Sequence, residues 1–155
     1  MSIDYEALAT GLNQAIPFNV HVGLETVTVA ADHGVVALPD EANLHNHVGS
    51  QHAGALFSAG EAASGAAFVG AFAEIMGEIT PLAESAEIAY RKLARGQITA
   101  TARFTRDRDA LRAELDREGR VRFPIEVELT DGAGAVVAEM TVRWYVRRNA
   151  ARSDG

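Results

Sequence analysis

The sequence has no cysteine, so neither a disulfide framework nor a thiolate-held metal is available to it. Basic residues are scarce as well. Fourteen Lys and Arg stand against 21 Asp and Glu, a formal net charge of −7, whereas a nucleic-acid binder normally shows a basic excess. No nucleic-acid partner is therefore expected. The N-terminal residues Met1 to Gln14 carry Asp4 and Glu6 and no basic run, which does not fit a signal peptide; a cytoplasmic location is expected. Internal repeats, low-complexity tracts and interdomain linkers are absent too. What remains is 155 residues of which 48% are hydrophobic, enough for one domain, 1–155, with a proper core.

Charge is rarest in the middle of the chain. From Ala53 to Ala73 the one charged side chain is Glu61, and thirteen of those twenty-one residues are Ala or Gly. This run predicts a long central helix over 53–77, entered from the polar loop Asn46-His-Val-Gly-Ser-Gln-His52. Such a helix is long enough to raise the membrane question, but its Ala and Gly content, central glutamate and amphipathic neighbours argue for a core helix and no membrane. By helical spacing Glu61 shares a mostly apolar face with Phe57, Ser58, Ser64 and Phe68. A carboxylate there either reaches solvent or has a function, because an unpaired buried charge is costly.

On either side of this helix the periodicity changes. Ile3, Leu8, Leu12 and Ile16 suit an N-terminal helix within 1–17, closed by Pro17. Val20, Val22 and Leu24 alternate with polar residues, and the phase then slips to Val27 and Val29, which predicts a strand with a bulge or bend near Glu25-Thr26. Val35 to Leu38 forms a second strand. Beyond the central helix, Thr80-Pro81 reads as a connection, Glu87 to Leu93 as a strand, and Ile98 to Phe104 as a half-buried strand. Arg106 to Gly119 suits an exposed helix with opposite charges three or four residues apart. Val121 to Leu129 and Val136 to Val146 share a period of two about Asp131-Gly-Ala-Gly134, a long antiparallel hairpin with Trp144 on its core face. The tail 147–155 is expected to be flexible. The fold class is therefore α+β, with six mostly antiparallel strands curled around one apolar helix.

That element order resembles the hotdog fold. The loop and helix narrow the resemblance: Asn46, then His52 six residues later, then Ala53-Gly54, then Glu61 nine residues after His52. The pattern is similar to that of the phenylacetic-acid-degradation-type (PaaI-like) acyl-CoA thioesterases, which carry an Asn, a His-Gly-Gly and a helical Asp at these offsets. Ala53 stands where the first glycine would be, and Glu61 where Asp is usual. The resemblance implies thioester hydrolysis, with Gly54 at the helix N-terminus donating to the carbonyl oxygen as it becomes negative, Glu61 as base or nucleophile, Asn46 orienting water or thioester, and His52 positioning the loop. It also implies a homo-oligomer, a dimer or a dimer of dimers, and coenzyme A as part of the substrate rather than as a cofactor.

Other residues are candidates for substrate contact. Ser58 and Ser64 could line a pocket. Tyr90, Arg91 and Lys92, with Arg95, form a basic strand end that could meet coenzyme A phosphates; Arg143, Arg147 and Arg148 make a second patch, and either could be plain solvated surface. His45, His47 and His52 invite a metal reading, but no carboxylate at ligand spacing accompanies them and no metal is expected. Two other functions fit the same residues: a hotdog domain that binds acyl groups without hydrolysing them and, more weakly, an acyl-CoA hydratase, for which only Glu61 and His52 could serve as the acid–base pair.

Overall fold

The computed structural model describes residues 2–151. Six strands form one sheet: β1 (Glu25–Val29), β2 (His33–Leu38), β3 (Ile79–Tyr90), β4 (Ile98–Phe104), β5 (Arg120–Thr130) and β6 (Val136–Arg148). Their order is β1-β2-β4-β5-β6-β3, with every neighbouring pair antiparallel. The sheet wraps the helix α3 (Ala53–Phe72), as expected. Its inward residues alternate along β5 and β6, from Val121, Phe123 and Ile125 to Met140, Val142 and Trp144, and all of these are buried.

The small residues of α3 have a packing reason. A Cβ on Gly34 of β2 would lie 2.4 Å from the Ala67 backbone nitrogen, and one on Gly70 would lie 1.9 Å from the Ala30 carbonyl oxygen. Backbone therefore meets backbone where the helix crosses the β1–β2 hairpin, an approach that only glycine permits. At the same level of the helix the core also turns aromatic: Phe68 stacks on Phe72 and Trp144 at centroid distances of 4.8 and 4.9 Å. By length and apolarity the Ala53–Glu78 segment could cross a membrane, yet 67% of its most apolar window is buried within this chain, as a core helix is.

Several boundaries differ from those the sequence predicts. The first helix, α1, is Tyr5–Ala15, capped by the Asp4 side chain accepting from the Ala7 N–H. Pro17 closes the first helix but does not end the helical region; it starts a second helix, α2 (Pro17–Val22), which Gly23 ends at φ 83°. Val20 and Val22 are thus helical, and the strand begins at Glu25, with its bulge between Thr26 and Thr28. The central helix gives way at Phe72 to a 3-10 segment, Ala73–Glu78. β3 starts eight residues before Glu87 and ends before Leu93. The charged segment is helical, α4 (Arg108–Glu118), with Leu111 and Leu115 buried beneath it. Arg147 and Arg148, placed by sequence in a flexible tail, continue β6 and pair with β3; residues 152–155 of that tail lie outside the described residues.

Candidate functional site

One face of α3 escapes the sheet. Ala55, Leu56, Ala59, Ala63, Ala67 and Phe72 are buried, whereas Gly54, Phe57, Ser58, Glu61, Ala62, Gly65 and Val69 keep some exposure. These last residues recur every three or four positions and form a single stripe along the helix. Glu61 sits midway along it. Its carboxylate has no hydrogen-bond or ion-pair partner among the described residues, and burial pushes its pKa above the usual carboxylate value. The side chain lines a cavity of about 240 Å³ with Leu12 of α1, Ile16 between α1 and α2, Phe68, Met76 and Trp144.

The loop before α3 is tied by its own side chains. The Asn46 amide oxygen accepts from the Val48 and Ser50 N–H groups, each at 3.1 Å, while its nitrogen donates to Ser50 Oγ at 2.8 Å. Gly49 takes φ 76° inside that turn. His52 is the N-cap of α3: its Nδ1 accepts from the Gly54 N–H at 2.8 Å, so the neutral ring carries its proton on Nε2. The Gly54 donor is therefore engaged within the chain. The Ala53 N–H, at the first helical position, has no acceptor among the described residues. Tyr90 reaches the same helix end, its hydroxyl donating to the Ala53 carbonyl at 3.1 Å, and partial burial raises its pKa.

The profile of the family described as "Domain of unknown function (DUF4442)" matches residues 4–146. The chain belongs to the DUF4442 family. No curated protein matches it in sequence. Among solved structures it is similar to a Pseudomonas aeruginosa protein of unknown function described as a probable thioesterase, with 29% identity, TM-score 0.85, and coverage of 96% of this chain and 99% of that one. The E. coli PaaI protein of the phenylacetic acid degradation operon is similar at 17% identity and TM-score 0.70, covering 92% of this chain and 91% of that one. AziG of S. sahachiroi is similar at 23% identity and TM-score 0.72, covering 88% and 100%. The fold of this DUF4442 chain is the hotdog fold.

Within that fold the predicted site residues fall into three groups. Asn46, His52, Gly54 and Tyr90 gather at the N-terminus of α3. Glu61 lies two turns further along, roughly 10 Å from Gly54 by helical rise, and faces the cavity. The third group is engaged elsewhere. Ser58 Oγ donates to the Gly54 carbonyl at 2.7 Å. Ser64 is fully buried, donating to the Glu61 carbonyl and accepting from Trp144 Nε1 at 3.3 Å. Neither serine lines the cavity. Arg91 pairs with Glu139 at 3.0 Å, Arg148 pairs with both Glu78 and Asp116, and Lys92 is exposed. The loop histidines go to separate partners: His45 Nε2 meets Asp40 at 2.6 Å, and His52 caps the helix.

Gln51 has a place in the DUF4442 site that sequence reasoning missed. It is 3% exposed; its Nε2 donates to the Pro39 carbonyl at 2.9 Å and the Gly96 carbonyl at 3.0 Å, and its backbone N–H to Ala94. This fixes the loop against the end of β2 and the turn before β4, and so fixes where α3 starts. Nothing in the one-letter pattern separates a buried glutamine from a solvated one in such a loop.

Proposed function

We propose that this protein hydrolyses acyl-coenzyme A thioesters. The observation that carries the reading is Glu61: a carboxylate without a partner among the described residues, on a face of an apolar helix that the sheet leaves uncovered, opening onto a mostly apolar cavity. Desolvation raises the basicity of such a group and favours its work on a neutral electrophile. Glu61 attacks the thioester carbonyl or takes a proton from the water that does. Helix N-terminal amides receive the negative charge on oxygen, and because His52 holds the Gly54 N–H, the free Ala53 N–H is the first donor in line.

About 10 Å of helix separates that donor end from Glu61, while the attacking oxygen must come within ~3 Å of the carbonyl carbon. Glutamate leans toward the helix N-terminus, which recovers only part of the gap. A twofold-related second copy closes it by presenting its own Glu61 to the first chain's helix end. The long exposed edge of β3 supports this pairing. Asn46 and His52 act by shaping the loop, and Tyr90 by fixing the Ala53 peptide. Lys92, Arg95, Arg143 and Arg147, none of which pairs with a carboxylate among the described residues, are left for the coenzyme A phosphates.

The engaged Gly54 N–H favours a second reading, an acyl-CoA-binding domain without turnover. Incubating the protein with a panel of acyl-CoAs and a thiol reagent separates the two. Release of free coenzyme A supports hydrolysis; tight binding without release replaces it with the binding domain.

A further inference from the structure

Among the described residues of this chain, nothing requires glycine at Gly65. Its φ is not positive, and a Cβ built on it meets nothing within 4 Å, in contrast to Gly34, Gly60 and Gly70, where a Cβ would strike Ala67, Met140 or Ala30. Glycine inside a helix costs stability relative to alanine, so this position carries a cost that packing within the chain does not explain. The space its missing side chain leaves is part of the cavity beside Glu61, which Gly65 lines together with Ala62, Ala66 and Met76. It lies four residues beyond Glu61, hence one turn further along the same face.

We propose that Gly65 sets the depth of the acyl pocket and thereby the chain length of the substrate, an uncharged acyl group. This inference rests on the thioester reading and adds the substrate class to it. Among the described residues no Lys or Arg lines the cavity, and its polar lining residues are Asn19, Thr26 and Glu61, so a second carboxylate on the acyl group meets no counter-charge from them and faces Glu61 instead. The cavity, about 240 Å³ with a mostly apolar lining, suits an alkyl chain, and a side chain added at Gly65 would shorten the part of it that lies beyond Glu61. The thioester end lies beside Glu61, and the chain runs past Gly65 toward Met76.

The test compares wild type, Gly65→Ala and Gly65→Leu on straight-chain acyl-CoAs from butanoyl to dodecanoyl, with succinyl-CoA as the charged control. Wild type is expected to show a length optimum within this series and to discriminate against succinyl-CoA. Leucine adds four carbons where the chain would lie, so Gly65→Leu should lower the octanoyl-to-butanoyl ratio of kcat/KM by at least tenfold. Gly65→Ala should lower it less and should melt no earlier than wild type. A parallel loss at all lengths, an unchanged profile, or a lower Tm for Gly65→Ala would overturn the proposal. Calorimetry with the matching S-alkyl-coenzyme A thioethers, which cannot be hydrolysed, gives a second readout. If no thioester turns over yet thioether affinity shows the same length shift, the hydrolysis reading fails and the pocket assignment stands. If thioether affinity is indifferent to length or to Gly65, the pocket assignment fails whether or not the protein is a hydrolase.

Discussion

Glu61 carries its charge where solvation is incomplete, and this has consequences for both stability and rate. Its folded pKa lies above the unfolded value because burial disfavours the carboxylate. Between those two values the native chain binds more protons than the unfolded one, so stability is fully present below the ordinary carboxylate range and falls as pH rises through the window. Glu61→Gln removes the charge while keeping the size. It should raise Tm at neutral pH, with the gain shrinking on acidification and vanishing below the ordinary carboxylate range; calorimetric melts from pH 4 to 8 would check this. An equal gain at every pH would mean that desolvation of the charge is not the cause. Hydrolysis should follow the opposite limb, rising with pH as Glu61 ionises. The sequence made Glu61 conspicuous because it is the one charge in a run of apolar residues. It did not reveal that Ser64, on the neighbouring face, is fully buried with Trp144. Helical spacing tells which residues share a face, but which side of that face the sheet covers is a tertiary fact.

At the level of elements, the contact of α3 with the β1–β2 hairpin is set by glycine. Gly70→Ala drives a methyl group into the Ala30 carbonyl and should cost about 1–3 kcal/mol as overpacking does, read from urea midpoints. The contrast with Gly65→Ala, at an open position of the same helix, separates packing from propensity. Gln51→Leu deprives two carbonyls of their donors and should cost about 1–3 kcal/mol, with a larger fall in turnover than in stability because α3 then starts from a looser loop. Elements whose burial repeats, β5 and β6 above all, were legible from alternation alone. Two were not. Val20, Val22 and Leu24 alternate like a strand, yet Pro17 at the first helical position and Gly23 at positive φ bracket a six-residue helix, and these end signals outweigh a short period-two pattern. The first half of β3 has no alternation to read, because most of its residues from Leu82 to Glu87 are exposed on both faces.

At the scale of the whole molecule, that same β3 is the open edge of the sheet. β1, at the other edge, is five residues long and lies against α1, whereas β3 runs for twelve residues with Leu82 56% exposed. Edges of that length are normally blunted or paired, and an isologous pairing of two copies would supply both the missing strand and the second half of the site. Light scattering at micromolar concentration should therefore report a dimer or larger, and Ala86→Pro, which removes an edge N–H, should shift it toward monomer with loss of turnover. A wild-type monomer with full activity would place the whole site within one chain. The central claim, that Glu61 performs thioester hydrolysis in this assembly, is tested most directly by measuring coenzyme A release and thioether binding side by side for wild type and Glu61→Gln. The account predicts that the variant binds the thioether within about threefold of wild type while kcat falls by at least a hundredfold, an order in keeping with general-base catalysis. Hydrolysis by Glu61→Gln near the wild-type rate would contradict it.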